Sequence, residues 1–431
     1  MAAIVARVIR SRSSVKSRIA TALPRVCAAV ALIGLLIAAP GLQSRLNDSV
    51  FSERARNQIA ANQLSRDSVR MGQWQIDMLD AAKAWRMSTG AGVTVAVIDS
   101  GVAAGHPDLH GQVLTGLDLV RPEGGDGTAD EAGHGTTVAG LIVGRGDDGD
   151  GVVGLAPDAK VLPIRVLNGK NEYKNPAVVA EAIVWAVDKG AKVINLSLGS
   201  SLESPLLSDA IDYAFAKDVV VVACVGNAMP GGSAQVWHPA REPGVLAVTA
   251  VRPDGRLWGD ALTGAETVIA APGSGLLGAR PDGYAPVDGT SFAAPLVSAA
   301  AALIRARSPE MSAANVVQRL IATARDAGTP GRDRRYGFGV VDPVAALSND
   351  VPAVAANPLD TTPAPGRATF GSTDNRVASQ PPVAASTAAT PRPAYVAGGG
   401  SARNPQPIWL VGAIVGLAVL VSGSMILLRR F

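Results

Sequence analysis

The run Gly289-Thr290-Ser291-Phe292-Ala293-Ala294-Pro295 carries more information than any other stretch of this 431-residue chain. It leads into an alanine-rich segment, and we predict a buried helix over Ser291–Arg307. A serine at the start of a helix lies at the positive end of the helix dipole. That position suits a nucleophile, and it equally suits an ordinary N-cap residue. The rest of the chain distinguishes the two interpretations.

Two motifs upstream supply the partners that a serine nucleophile needs. An apolar strand runs into Asp99-Ser100-Gly101, and Gly133-His134-Gly135-Thr136 stands at the start of a predicted helix. A serine needs a base to take its proton, and the base needs a carboxylate to orient it. Histidine suits this task because it changes charge near neutral pH. Asp99, His134 and Ser291 follow one another in the order found in subtilisin.

On these three motifs the chain resembles the subtilisin-like serine proteases, and the similarity extends over roughly Gln73–Leu347. The resemblance implies an Asp-His-Ser catalytic triad of Asp99, His134 and Ser291, which hydrolyses peptide bonds. It also implies that Asn227, which follows the apolar run Val219–Val225, donates its side-chain amide to the oxyanion of the tetrahedral intermediate.

The resemblance further implies two walls of a substrate pocket. One wall is Ser197, Leu198 and Gly199, which would offer main-chain hydrogen bonds to an extended substrate. The other wall contains Cys224 and Val225, which occupy more volume than alanine would. We therefore predict a narrow apolar pocket that prefers small or medium apolar side chains.

Strands and helices alternate along the predicted protease domain. The predicted strands are Val93–Ile98, Val161–Val166, Val193–Leu198, Val219–Val225 and Leu246–Val251, and the predicted helices are Thr136–Val143, Pro176–Lys189, Leu206–Lys217, Ser291–Arg307 and Ala313–Ala324. Continuous β-branched runs that alternate with helices indicate a mainly parallel sheet covered on both faces. We predict an α/β fold of the three-layer subtilisin-like type.

Composition excludes several other classes of protein and site. A net charge of +3 gives no reason to expect a nucleic-acid partner. The two cysteines are Cys27, in an apolar leader, and Cys224, in a predicted strand, and we predict no disulfide. The resemblance places Asp108 and Asp148 where some subtilases bind calcium, but acidic loops are usually only solvated. We predict no metal site and no cofactor.

The N-terminal region has the pattern of a secretory leader. A basic segment precedes the apolar run Val26–Ala39, so residues 1–40 are either a cleaved signal peptide or an uncleaved N-terminal anchor. Residues 41–72 are predicted to form an extension that lies against the domain, with a polar helix over Phe51–Arg66. A cleaved peptide is the alternative interpretation of this segment.

The C-terminal region predicts a membrane anchor. After the protease domain, residues 73–350, comes a Pro- and Ala-rich linker, residues 351–407. The uncharged run Ile408–Leu428 is long enough, at about 30 Å as a helix, to cross a bilayer. Arg429 and Arg430 follow, so the positive-inside rule puts the tail 429–431 in the cytoplasm and the protease domain outside the cell membrane.

An anchored subtilase with a Pro-rich stalk resembles the mycosins, proteases associated with type VII secretion. The segments Gly125–Thr128 and Tyr336–Asp342 are similar to that group, whereas Asp130-Glu131-Ala132 lacks the cysteines that mycosins usually carry there. Another anchored subtilase, unrelated to secretion, therefore remains an alternative.

Three functions follow from these patterns. The first is an endopeptidase that cleaves secreted proteins. The second is a structural component of a secretion membrane complex, for which proteolysis is dispensable. The third, an inactive protease used as a binder, is disfavoured because the triad residues and Asn227 are all present.

Overall fold

The computed structural model describes residues 66–147, 149–229, 231–361 and 394–395. The predicted leader, the predicted helix before Arg66, most of the predicted linker, Asp148 and the predicted span 408–428 lie outside these residues. None of the helices among the described residues combines the length and the hydropathy of a membrane span.

A parallel sheet of seven strands forms the centre of the domain, in the order β2-β3-β1-β5-β6-β7-β8. β9 and β10 form a separate antiparallel hairpin, and β4 pairs with β11. The strands are β1 Thr94–Asp99, β2 Leu117–Asp118, β3 Lys160–Arg165, β4 Glu172–Tyr173, β5 Val193–Leu196, β6 Val220–Cys224, β7 Leu246–Val251, β8 Ile269–Pro272, β9 Leu276–Arg280, β10 Gly283–Val287 and β11 Ala394–Tyr395.

Helices cover both faces of this sheet. α4 and α7 pack against each other and the sheet on one face, and α5 and α6 pack together on the other. The helices are α1 Arg66–Met71, α2 Trp74–Met78, α3 Ala81–Trp85, α4 His134–Val143, α5 Pro176–Asp188, α6 Pro205–Ala216, α7 Thr290–Arg307, α8 Ala313–Ala322 and α9 Pro343–Ser348. The central strands are buried along their length, as a sheet covered on both faces requires.

The predicted α/β fold with a mainly parallel sheet is confirmed, and the ten predicted elements appear with small shifts at their ends. The predicted strand Val193–Leu198 ends two residues earlier, at Leu196. β8 and the β9–β10 hairpin were not predicted from the sequence. β8 is only four residues, two of them alanine, and therefore gives no periodic signal of its own.

Residues on both sides of the predicted domain, residues 73–350, contact its surface. In α1, Val69 is buried and the Arg70 guanidinium donates to the carbonyl oxygens of Gly151, at 2.9 Å, and Arg145, at 3.0 Å. Near the other end, Asn357 Nδ2 donates to the Gly244 carbonyl at 2.9 Å. These bonds tie residues before 73 and after 350 to the domain surface.

Candidate active site

The site lies at the carboxyl edge of the parallel sheet. Asp99 is the last residue of β1, Ser197 follows β5 and Asn227 lies just beyond β6. These three strands are neighbours and run in the same direction, so their carboxyl ends meet at one edge. His134 is the first residue of α4 and Ser291 the second residue of α7, and these two helices pack together.

Asp99 and His134 form a buried hydrogen bond. The Nδ1–H of His134 donates to Asp99 Oδ1 at 2.7 Å, and the two side chains are 1% and 0% exposed. The backbone N–H of Ser100 donates to the same oxygen at 2.7 Å. Since an ionised carboxylate only accepts hydrogen bonds, this arrangement fixes the proton of the neutral ring on Nδ1. Nε2 is therefore the acceptor of the ring, and it has no hydrogen-bond partner among the described residues.

Ser291 lies in the first turn of α7, where the backbone N–H groups have no acceptor within the helix. Its own N–H therefore lies beside the positive end of the helix dipole. The helix start predicted at Ser291 was the sequence signal for this position of the N–H group. The following residue, Phe292, packs its ring against His134 with centroids 5.2 Å apart.

Pro295 lies inside α7 and changes how the Ser291 carbonyl is satisfied. In a regular helix this oxygen would accept from the N–H of residue 295, which proline lacks. Instead the Ser197 hydroxyl donates to it at 2.6 Å. Asn195 Nδ2 donates to Ser197 Oγ at 2.9 Å, and Ser298 Oγ donates to Asn195 Oδ1 at 2.9 Å. Ser197, predicted as a pocket wall, therefore also anchors the backbone of the candidate nucleophile.

The orientation of the Asn227 amide is set by Thr290. Asn227 Oδ1 accepts from the Thr290 N–H at 3.1 Å and from its hydroxyl at 2.8 Å. Nδ2 is consequently on the opposite side of the amide, where a Cβ added to Gly289 would lie only 3.2 Å from it. The donor group of Asn227 thus lies beside the turn that leads into Ser291.

Asp130 is a buried carboxylate that sequence analysis did not recognise as part of the site. Its Oδ1 accepts from Ser100 Oγ at 2.8 Å and from the Gly133 N–H at 2.7 Å. Its Oδ2 accepts from the Thr136 N–H at 2.9 Å and from the Thr136 hydroxyl at 2.5 Å. Ser100 Oγ in turn accepts from the Gly135 N–H at 2.9 Å. Asp130 therefore joins the loop after Asp99 to the first turn of the helix that carries His134.

Arg280 is a partly buried cation whose pKa responds to the charge of Asp130. Burial lowers the pKa of Arg280 from its ordinary value, and the negative charge of Asp130 opposes that shift. Arg280 Nη1 also donates to the Ala132 carbonyl at 3.1 Å. The loop before His134 therefore forms hydrogen bonds with two side chains, the Asp130 carboxylate and the Arg280 guanidinium.

The two predicted walls of the substrate pocket contact each other at Cys224. Its Sγ lies 3.9 Å from the Leu198 carbonyl oxygen and 3.8 Å from Ser291 Oγ. Burial raises the pKa of this free thiol to about 11, so it lies beside the candidate nucleophile as a neutral group. Val225 and Leu198 are buried as well.

Asp108, placed by resemblance at a calcium site of some subtilases, accepts hydrogen bonds from within the fold. Its carboxylate accepts from the Val152 N–H at 2.6 Å and the Tyr284 hydroxyl at 3.1 Å. Among the residues that the structure describes, no group of three or more His, Cys, Asp or Glu side chains could hold a metal ion.

Comparisons with known proteins agree with this geometry. The model of the subtilase family, Peptidase_S8, matches residues 90–339, more than half of the chain. Subtilisin DY of Bacillus licheniformis is 39% identical over 259 residues, which cover 60% of this chain and 91% of that protein.

Solved structures of mycosins are similar as well. The crystal structure of MycP1 from Mycobacterium smegmatis has a TM-score of 0.58 and 32% identity, covering 68% of this chain and 89% of that chain. The MycP3 protease from the type VII (ESX-3) secretion system has a TM-score of 0.57 and 35% identity, covering 65% and 89%. The chain belongs to the subtilase family and is a subtilisin-like serine endopeptidase related to the mycosins of type VII secretion.

Proposed function

We propose that the protein is a membrane-anchored, extracytoplasmic endopeptidase that cleaves secreted proteins with Asp99, His134 and Ser291. The observation that carries this proposal is the bond from His134 Nδ1 to Asp99 Oδ1, which leaves Nε2 as the proton acceptor. Ser291 Oγ attacks the peptide carbonyl carbon and His134 Nε2 takes its proton. The same proton then passes to the leaving amine, and water hydrolyses the acyl-enzyme in the reverse sequence of proton transfers.

Two donors stabilise the oxyanion of the tetrahedral intermediate in this mechanism. They are the side-chain amide of Asn227 and the backbone N–H of Ser291. The two hydrogen bonds from Thr290 to Asn227 Oδ1 support this role, because they fix which end of the amide can donate to substrate. Loss of the corresponding donor in subtilisin costs about 2.7–4 kcal/mol of transition-state stabilisation, so Asn227→Ala should lower kcat by about 100- to 1,000-fold.

Active-site labelling tests the triad directly. A fluorophosphonate should label the wild-type protein at Ser291, and His134→Ala should abolish that labelling. Ser291→Ala is the matched control. Labelling of the Ser291→Ala protein at the wild-type rate would refute the assignment. Activity should also fall on acidification, because a protonated His134 cannot accept the serine proton.

The membrane location is proposed from the predicted span 408–428 and the arginines after it. Truncation before Ile408 should release active protein from the membrane if the leader is cleaved, and should leave it bound if the leader persists as an anchor. Protease added outside intact cells should cut the predicted linker. Protection of the linker until the cytoplasmic membrane is ruptured would overturn the proposed orientation.

The similarity to MycP1 and MycP3 supports a link to type VII secretion and also favours a second, structural role in a secretion membrane complex. A Ser291→Ala strain separates the two roles. If cleavage is the essential step, the Ser291→Ala strain and the deletion strain should have the same secretion defect. Secretion that persists in the Ser291→Ala strain but is lost on deletion would identify the structural role as the essential one.

A further inference from the structure

The space between the two proposed pocket walls contains a tryptophan that sequence analysis did not consider. We define the specificity pocket as the space between residues 197–199, which follow β5, and residues 224–226, at the end of β6. β5 and β6 are neighbouring parallel strands, so these two segments leave the sheet side by side. In the proposed endopeptidase, the side chain before the scissile bond enters between them.

The backbone at Trp237 and His238 is bonded to both walls. The Trp237 N–H donates to the Val225 carbonyl at 3.0 Å, on the β6 side. The His238 N–H donates to the Ser200 carbonyl at 2.8 Å, and the Ser200 N–H donates to the His238 carbonyl at 3.0 Å, on the β5 side. The segment therefore closes the floor of the specificity pocket, and its position is fixed by hydrogen bonds on both sides.

The indole of Trp237 fills the space above this floor. A Cβ added to Gly226 would lie 2.3 Å from Trp237 Cδ2 and 2.7 Å from Cε2. A Cβ added to Gly199 would lie 3.3 Å from Trp237 Cε3. Contacts this short mean that the ring lies against the bare backbone of both glycines at once. Trp237 is only 6% exposed, so its indole is buried inside the specificity pocket and does not lie on the protein surface.

We infer that Trp237 closes the specificity pocket and restricts the residue before the scissile bond to glycine, alanine or serine. A bulky substrate side chain would need the volume that the indole occupies, and close-packed protein interiors do not yield such volume without strain. The larger branched side chains, leucine and valine, are disfavoured for the same reason. The inference rests on the proposed endopeptidase function and adds the substrate class that this function selects.

The test compares peptide substrates that differ only in the residue before the scissile bond, which is Gly, Ala, Val, Leu or Phe. For the wild type, kcat/KM should be at least about 10-fold higher with Ala than with Leu or Phe, the scale of discrimination that hydrophobic pockets achieve. Trp237→Gly should lower the ratio of Ala to Phe by about 10- to 100-fold, chiefly because cleavage after Phe accelerates. Trp237→Val should give an intermediate ratio, which provides a second variant if the glycine variant folds poorly.

Trp185 provides the control substitution. It is partly buried on α5 under Lys189, whose Nζ lies 5.4 Å from its ring centroid, and it is not part of either pocket wall. Trp185→Phe should leave the order of substrates unchanged.

Fluorophosphonate labelling of each variant separates the two possible failures. If wild type is labelled but cleaves after Phe as fast as after Ala, the inference about Trp237 is wrong and the proposed function stands. An unchanged ratio in a fully labelled Trp237→Gly or Trp237→Val variant would overturn it as well. If the wild type is neither labelled nor active on any peptide, the proposed function fails, and the inference fails with it.

Discussion

The hydrogen bond from Ser197 to the Ser291 carbonyl gives a prediction that depends on a proline. Ser197→Ala removes the hydroxyl and leaves two buried groups without this partner, the Ser291 carbonyl and Asn195 Nδ2. A buried polar group that loses its hydrogen bond costs about 1–3 kcal/mol. We therefore expect Ser197→Ala to lower the free energy of unfolding by about 2–6 kcal/mol, the sum for the two groups.

Pro295→Ala should reduce that cost, because alanine restores a helical N–H that can donate to the Ser291 carbonyl. Only Asn195 Nδ2 then loses its partner, and the loss of unfolding free energy caused by Ser197→Ala should fall to about 1–3 kcal/mol. The expected coupling energy in the double-mutant cycle is therefore also about 1–3 kcal/mol, and each 1 kcal/mol corresponds to about 2–4 °C in melting temperature for a domain of this size.

The assay is denaturant and thermal unfolding in a Ser291→Ala background, which prevents self-digestion and keeps the backbone carbonyl. Ser298→Ala is the matched control, because Ser298 belongs to the same network but bonds to Asn195 Oδ1 and not to the Ser291 carbonyl. Ser298→Ala should lower the free energy of unfolding by the same amount whether residue 295 is proline or alanine. Equal costs of Ser197→Ala in the two backgrounds would refute the reasoning.

Three further predictions concern buried or hydrogen-bonded groups. Asp130→Asn can place an amide N–H donor where the carboxylate accepts from the Thr136 N–H. Because His134 then loses its position, kcat/KM should fall by about 10- to 100-fold. Asp126→Asn, on the same loop but exposed, should leave kcat/KM unchanged, and equal losses in both variants would argue against a positioning role. Cys224 should resist iodoacetamide in the native protein and react after unfolding, as mass spectrometry of its peptide can show, because burial raises its pKa to about 11. Burial acts to raise the pKa of Asp333, but three backbone N–H donors outweigh it and hold this pKa below 3.8. The stability that the ionised Asp333 contributes is complete above its pKa in the unfolded chain, and it is lost as the pH falls through the lower pKa of the folded protein. The urea midpoint of the wild type should therefore decline below about pH 4, and Asp333→Asn should flatten that decline.

Much of the architecture was predictable because the signals for it are local. Long apolar β-branched runs that alternate with amphipathic or alanine-rich segments specify buried parallel strands and helices, whatever lies elsewhere in the chain. The candidate triad was equally accessible, since each of its residues stands next to a strand end or a helix start that the sequence itself marks. The short strand β8 and the β9–β10 hairpin were missed because their formation depends on neighbours and not on their own periodicity.

The fold class, the order of Asp99, His134 and Ser291 and the resemblance to the subtilases can all be read from the amino-acid sequence. The contacts that position the candidate site and limit its pocket become visible only in the folded domain. Asp130 joins Ser100 to the helix of His134, Ser197 satisfies a carbonyl orphaned by Pro295, and Trp237 fills the space between two glycines. Asp130 is 30 positions from Ser100 in the sequence, and Ser197 is 94 positions from Ser291. These contacts are invisible in the sequence because hydrogen bonds and van der Waals contacts depend on distances in space, which are fixed only when the strands and helices have packed together.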